Sequence, residues 1–324
     1  MIEFSPRNIR SWSIMGINPS VWSVGFAEVA ENNENVSVLT ADLSRFSGLE
    51  RCAAKYPEKF YNVGIAEQNM VGIAAGMAME GIQAYITTYA PFVSYRCADQ
   101  VRHLMGNMNL NIKAVGSSAG LTSGWSGTAL LTINDIAFMR SIPNMTVLSP
   151  ADCSEAIKMM VAMSEIEGPC YLRLCGTTAI PVIYREDYEF SIGKAVTLQK
   201  GSKIAIIATG VNIVDESLKA ARLYEDETGI KPTVVNMHTI KPIDRECIEA
   251  LGDTHELIVT VEEHNVIGGM GSAVAEVLST MRGAAKQAFI GIKDSNCRMG
   301  SRSFMLGQVG LCAEDILRTV KSNI

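Results

Sequence analysis

The chain has 324 residues, enough for two domains, and is 48% hydrophobic and 19% charged, a balance that supplies a sizeable core and excludes wholesale disorder. Its formal net charge of −6 comes without a dense Lys/Arg run, which argues against a nucleic-acid or anionic-membrane partner. No stretch reaches the roughly 18 uninterrupted apolar residues of a membrane span, and the opening MIEFSPRNIRSWSIMGINPS lacks the basic-then-apolar build of a secretory signal.

In chain order, VSVLTAD (36–42) is predicted as a strand ending in a polar loop. FYNVGIAEQNMVGIAAGMAMEG (60–81) holds a helix of Gly, Ala, Met and Ile, small enough all round to be packed on every face, with the acid Glu67 at its start. GIQAYITTYA (81–90), NIKAVGSS (111–118) and MTVLSP (145–150) are further strands. A helix begins in SPADCSEA, where Ser149 or Asp152 can cap it, and leads to the strand GPCYLRLC (168–175). Apolar runs that read as buried on both faces and alternate with helices indicate a parallel α/β sheet.

The Pro- and charge-bearing stretch 176–195 reads as a linker, after which the pattern restarts. SKIAIIATG (202–210) is a strand, residues 211–228 a helix closed by Gly229, and KPTVVNMHTIKPID begins with a strand. ELIVTVEEH (256–264) is another strand, and GGMGSAVAEVLSTM opens a helix. The fold class expected is therefore α/β, with two domains, 1–185 and 186–324, each a mainly parallel sheet flanked by helices.

Two local signals are thin. The run Gly268-Gly269-Met270-Gly271 invites a phosphate-loop reading, but it lacks the full GxGxxG frame and a following Lys-Ser/Thr; tight backbone approach at a helix start is the alternative. The eight cysteines are scattered without a CxxC pair, so no metal site is expected, and reduced thiols fit a cytoplasmic protein. Glu67 poses the sharper question. A buried carboxylate is expensive unless something pairs with it, although a place at a helix N-terminus contributes about 0.3–1 kcal/mol by itself.

FYNVGIAEQNMVGIAAGMAMEG, TTYAPFVSYRCADQVR (87–102), DIAFMRSIPNMTVLSPAD (135–152) and VEEHNVIGGMGSAVAEVL (261–278) together resemble the transketolase family of thiamine-diphosphate enzymes, in the family's order. The resemblance spans most of residues 20–320 and implies a pyrimidine-binding domain followed by the family's C-terminal domain. It implies a catalytic role for Glu67, whose family counterpart hydrogen-bonds N1′ of the cofactor's aminopyrimidine. Tyr89, Phe92 and Tyr95 fall on the aromatics that line that ring, and Asp42 on an acid near it. Packing of the three aromatics on one helix face, and a turn role for Asp42, are the structural alternatives. The family's GDG and downstream Asn, which hold Mg²⁺ (or Ca²⁺) through the diphosphate, have no counterpart here; the closest string is LGDTHE (251–256). The resemblance thus implies a split transketolase whose partner, an N-terminal diphosphate-binding subunit, completes an α₂β₂ heterotetramer.

The substrate side departs from the family. Counting back from Asp135 puts Leu130 where the family has a histidine that contacts the donor, and Trp125 and Ser126 on its acidic pair. The family's phosphate-binding His and two Arg fall on Ser118, Gly176 and, less directly, Pro19. Leu offers no hydrogen bond, so Ser118, Trp125, Ser126 and Leu130 mark a rebuilt substrate region. The expected activity is transfer of a two-carbon ketol unit from a ketose to an aldehyde or another unusual acceptor. A 2-oxoacid dehydrogenase β-type subunit and a non-catalytic scaffold paralogue are the alternatives.

Overall fold

The computed structural model describes residues 2–295 and 297–324. Twelve strands are described: β1 (Val36–Thr40), β2 (Phe60–Asn62), β3 (Gln83–Tyr89), β4 (Ile112–Ala119), β5 (Thr146–Leu148), β6 (Cys170–Cys175), β7 (Val196–Gln199), β8 (Lys203–Thr209), β9 (Thr233–Asn236), β10 (Thr239–Lys241), β11 (His255–Asn265) and β12 (Lys286–Ile292). They form a seven-stranded sheet in the order β10-β5-β6-β4-β3-β1-β2 and a five-stranded sheet in the order β12-β11-β8-β9-β7. All pairings are parallel except β10 on β5 and β7 on β9, each at a sheet edge. β1 and β5 are buried along their whole length, β3 and β4 nearly so, as the unbroken apolar runs require when helices cover both faces.

The helices used below are α1 (Pro6–Met15), α2 (Glu67–Met79), α3 (Asp135–Ser141), α4 (Cys153–Ser164), α5 (Ile213–Thr228), α6 (Arg245–Thr254), α7 (Met270–Leu278), α8 (Arg302–Gln308) and α9 (Ala313–Asn323). Of the two candidate caps of α4, Asp152 does the work, accepting from the Glu155 amide at 2.9 Å. Gly229 closes α5 in the left-handed conformation, at φ 71°. Among the described residues no helix is long and apolar enough to cross a membrane.

Two features were not legible in the sequence. β10 follows the linker in sequence yet pairs antiparallel with β5, so the second half of the chain lends a strand to the first sheet. Helix α2 is not packed on every face. It buries Glu67, Met70, Val71, Ala74 and Ala75 but leaves Gln68, Asn69, Gly72, Ile73 and Gly76 exposed. A Cβ built on Gly72 or Gly76 meets nothing within 4 Å.

Candidate active site

Chain direction reverses beside β1: the path runs outward to β2 and then back across to β3. Such a switch point opens a crevice at the carboxyl ends of parallel strands. The loop after β2 delivers the N-terminus of α2 to that edge, so Glu67, its first residue, stands at the carboxyl end of the sheet. Glu67 is 5% exposed and Arg96 Nη1 donates to its Oε1 at 2.9 Å. That pairing answers the cost of burying the carboxylate. Asp42, exposed at the end of β1, occupies a left-handed turn (φ 58°) and exchanges hydrogen bonds with Asn62. Its amide donates to Asn62 Oδ1 at 3.0 Å, and Asn62 Nδ2 donates to Asp42 Oδ1 at 3.1 Å. The pair ties the β1 and β2 loops together, so the turn role for Asp42 is real.

The three aromatics do not share one helix face. Tyr89 is the last residue of β3, whereas Phe92 and Tyr95 lie on a widened, π-type turn, Phe92–Arg96. The strand-to-turn corner still brings Tyr89 and Phe92 together, with ring centroids 5.9 Å apart, both half-buried, while Arg96 covers the Phe92 ring with Cζ 4.1 Å from its centroid. Tyr95 is directed to the start of α3, where its hydroxyl meets Asn134 Oδ1 and accepts from the Asn134 amide. Burial pushes the phenols of Tyr89 and Tyr95 up, which keeps both neutral.

The substrate-side candidates lie on an excursion between β4 and α3. Gly120 and Thr132 exchange amide-to-carbonyl hydrogen bonds of 3.0 Å and close its base. Trp125 at its tip is 81% exposed, Ser126 is exposed and Leu130 is half-buried. Ser118, at the end of β4, is half-buried with φ 53°. These four are grouped by the excursion and its root; no hydrogen bond links them to Glu67.

Sequence reasoning missed the buried charges beneath this loop. Asp135 Oδ2 accepts from Tyr171 Oη at 2.7 Å and Arg173 Nε at 2.8 Å. Arg173 continues to the carbonyls of Thr132 and Glu263. Glu263 in turn receives the Leu121 amide at 2.6 Å and pairs with Arg302 of α8. The Arg302 guanidinium lies 3.6 Å from where a side chain on Gly176 would begin, yet Glu263, Asn212 and Val211 take up its donors. Arg96, Arg173 and Arg302 are thus each committed to a carboxylate. The only foretaste in the sequence was Arg173 lying inside a strand; beyond Cys175 two residues on, its partners are 38 to 90 residues distant.

The glycine run is resolved as well. Glu262 accepts from the amides of Met270 and Gly271 at 2.7 and 2.8 Å, so its carboxylate fills the N-terminus of α7. A Cβ on Gly269 would stand 2.2 Å from Glu262 Oε2. The glycine serves close approach, and the Glu262 carboxylate takes the amides a phosphate loop would offer. Among the described residues no group of three or more His, Cys, Asp or Glu side chains is placed to hold a metal ion.

The donor set fits an aminopyrimidine: one recessed acceptor carboxylate beside two half-buried aromatic rings. Residues 21–177 match the family model for the transketolase pyrimidine-binding domain, and residues 193–316 that for the transketolase C-terminal domain. The chain is 39% identical to a putative transketolase C-terminal section of Methanocaldococcus jannaschii, over 90% of this chain and 92% of that protein. It is 34% identical to a 6-deoxy-6-sulfo-D-fructose transketolase subunit of a Clostridium species, over 90% and 89%. Among solved structures, a split-gene transketolase in an inactive β4 tetramer superposes with a TM-score of 0.86 at 34% identity, covering 95% of this chain and 98% of that one. The chain therefore belongs to the transketolase family and resembles the C-terminal subunits of its split members.

Proposed function

We propose that this chain is the C-terminal subunit of a split transketolase, residues 1–185 forming its pyrimidine-binding domain and 186–324 its C-terminal domain. With thiamine diphosphate it moves a two-carbon ketol unit from a ketose to an aldehyde or a related acceptor. A second polypeptide supplies the diphosphate- and Mg²⁺-binding domain. The observation that carries this reading is Glu67, buried at the start of α2 and joined through Arg96 to the Phe92 ring, which lies beside Tyr89. Nothing in the packing of a small-residue helix calls for an acid there.

When bound, the cofactor supplies the electron sink for breaking and forming the carbon–carbon bond. The chain's own groups orient it. Glu67 holds the proton shared with N1′ of the aminopyrimidine, and Tyr89 and Phe92 line the ring, with Tyr95 positioned through Asn134. Asp42 fixes the loop beside it through Asn62.

The substrate is an unusual ketose. Leu130 in place of a donor-binding histidine, and Arg96, Arg173 and Arg302 already paired to Glu67, Asp135 and Glu263, leave little of the family's sugar-phosphate recognition. The sulfonated-sugar relative supports a donor outside the common sugar phosphates. The exposed side of α2, with Gly72 and Gly76, supports burial against another subunit in an α₂β₂ assembly, and the unpaired cysteines are in keeping with a cytoplasmic setting.

The test is Glu67→Gln in the complex with the diphosphate-domain subunit. Turnover of ketose plus aldehyde should fall by about 10²–10⁴-fold, with circular dichroism and assembly unchanged. Near-normal turnover would remove Glu67 from the chemistry and the reading with it.

A further inference from the structure

Arg96 contacts both Glu67 and Phe92, yet the proposed chemistry has no use for it. Its guanidinium donates to Glu67 Oε1 at 2.9 Å and lies over the Phe92 ring, 4.1 Å from the centroid. The Arg96 side chain is 48% exposed, against 6% for Glu67, so the guanidinium approaches from the solvent side and covers both groups. Its backbone is fixed separately, Gln68 Nε2 donating to the Arg96 carbonyl at 3.0 Å. The side chain can therefore leave without moving the turn.

We propose that Arg96 is a displaceable latch on the pyrimidine pocket, occupying in this chain alone the carboxylate and the ring face that an aminopyrimidine needs. The inference rests on the functional reading above. A carboxylate oxygen engaged by a guanidinium is not free for a ring nitrogen, and a ring face covered by one cation cannot also carry a second flat ring. Guanidinium and aminopyrimidine therefore compete. The latch is shallow by construction: an ion pair whose cation is half in water is weak, and a ring contact at an exposed site adds a comparable amount. It keeps a buried acid compensated while the pocket is empty and yields when a tighter ligand enters.

The experiment is calorimetric titration of the complex of this chain with its diphosphate-domain subunit, using thiamine diphosphate and Mg²⁺. Arg96→Met, which keeps the apolar stem, should bind the cofactor about 5- to 30-fold more tightly than wild type. That advantage should shrink at high salt, where the wild-type pair is screened. Arg96→Lys, which keeps the charge but not the flat stacking surface, should fall between the two. Arg102→Met removes an equal charge from a neighbouring surface pair with Asp99 and should not tighten binding. Unchanged or weaker binding by Arg96→Met, with wild type binding normally, overturns the latch while leaving the functional reading intact. Absence of cofactor binding by every form, wild type included, overturns both.

Discussion

Asp135 and Arg173 form a fully buried ion pair, 2.8 Å apart, to which Tyr171 adds a second hydrogen bond. Removing one partner of such a pair strands a charge in the core, so Asp135→Ala should cost about 3–5 kcal/mol in urea unfolding. Tyr171→Phe, which removes one hydrogen bond, should cost about 1 kcal/mol. Equal effects of the two would contradict the ranking. A second residue-scale prediction concerns pH. Burial pushes the Asp152 carboxyl up to about 6 from an ordinary 3.8, outweighing the three amides of Glu155, Ile183 and Tyr184 that favour its charged form. With the folded value above the unfolded one, its stabilising contribution is fully present below about pH 4 and is lost as pH rises through 6. Wild type measured against Asp152→Asn should lose about 2–3 kcal/mol of relative stability between pH 4 and 7; a flat difference would refute the shift. Glu67 and Asp152 were legible because each sits in a short local signal, a helix start and a cap. Asp135, Glu263 and Arg302 were not, because their meaning lies in partners that only the sheet topology brings together.

At the scale of elements, α2 shows what periodicity alone could not decide. A run of Gly, Ala, Met and Ile has no polar stripe to mark an outer face, so the sequence reads as a helix packed all round, whereas Gly72 and Gly76 face open space in this chain. Glycine in a helix interior costs roughly 0.5–1 kcal/mol relative to alanine. Gly72→Ala and Gly76→Ala should each therefore raise the stability of the dissociated chain by up to about 1 kcal/mol. A bulky side chain at the same places is predicted to act on assembly. Gly72→Leu with Gly76→Leu should leave the circular dichroism spectrum unchanged while lowering the mass that light scattering reports for the chain mixed with its partner. An unchanged assembly would show that this side of α2 stays in solvent. The strand-to-turn corner at Tyr89 is a similar case. Spacing placed three aromatics at helical intervals, but β3 extends through Tyr89, and only the corner geometry brings it beside Phe92.

For the whole molecule, the course of the chain and the distribution of its stability differ. A break near residue 185 follows from the linker composition. The core ignores it: Leu39, Met70 and Ile86 belong to one apolar cluster with Ile207, Val235, Ile258, Met270 and Val274. β10 crosses back to complete the first sheet, and the contacts of Arg173 and of the Leu121 amide with Glu263 stitch the same boundary. That long-range stitching leaves no trace in composition, because β10 is three residues long and reads as the tail of a neighbouring run. Cooperativity should follow packing rather than chain order. The full chain at low concentration is expected to melt in one transition, with calorimetric and van't Hoff enthalpies in agreement. Residues 1–185 expressed alone would lack β10 and expose the Met70–Ile86 side of the shared cluster. That fragment should lose the sharp transition and bind a hydrophobic dye, although its own sheet retains six strands. Two resolved transitions in the full chain, or a fragment that melts cooperatively near the parent temperature, would mean that each half holds its own core and that the crossing strand is dispensable.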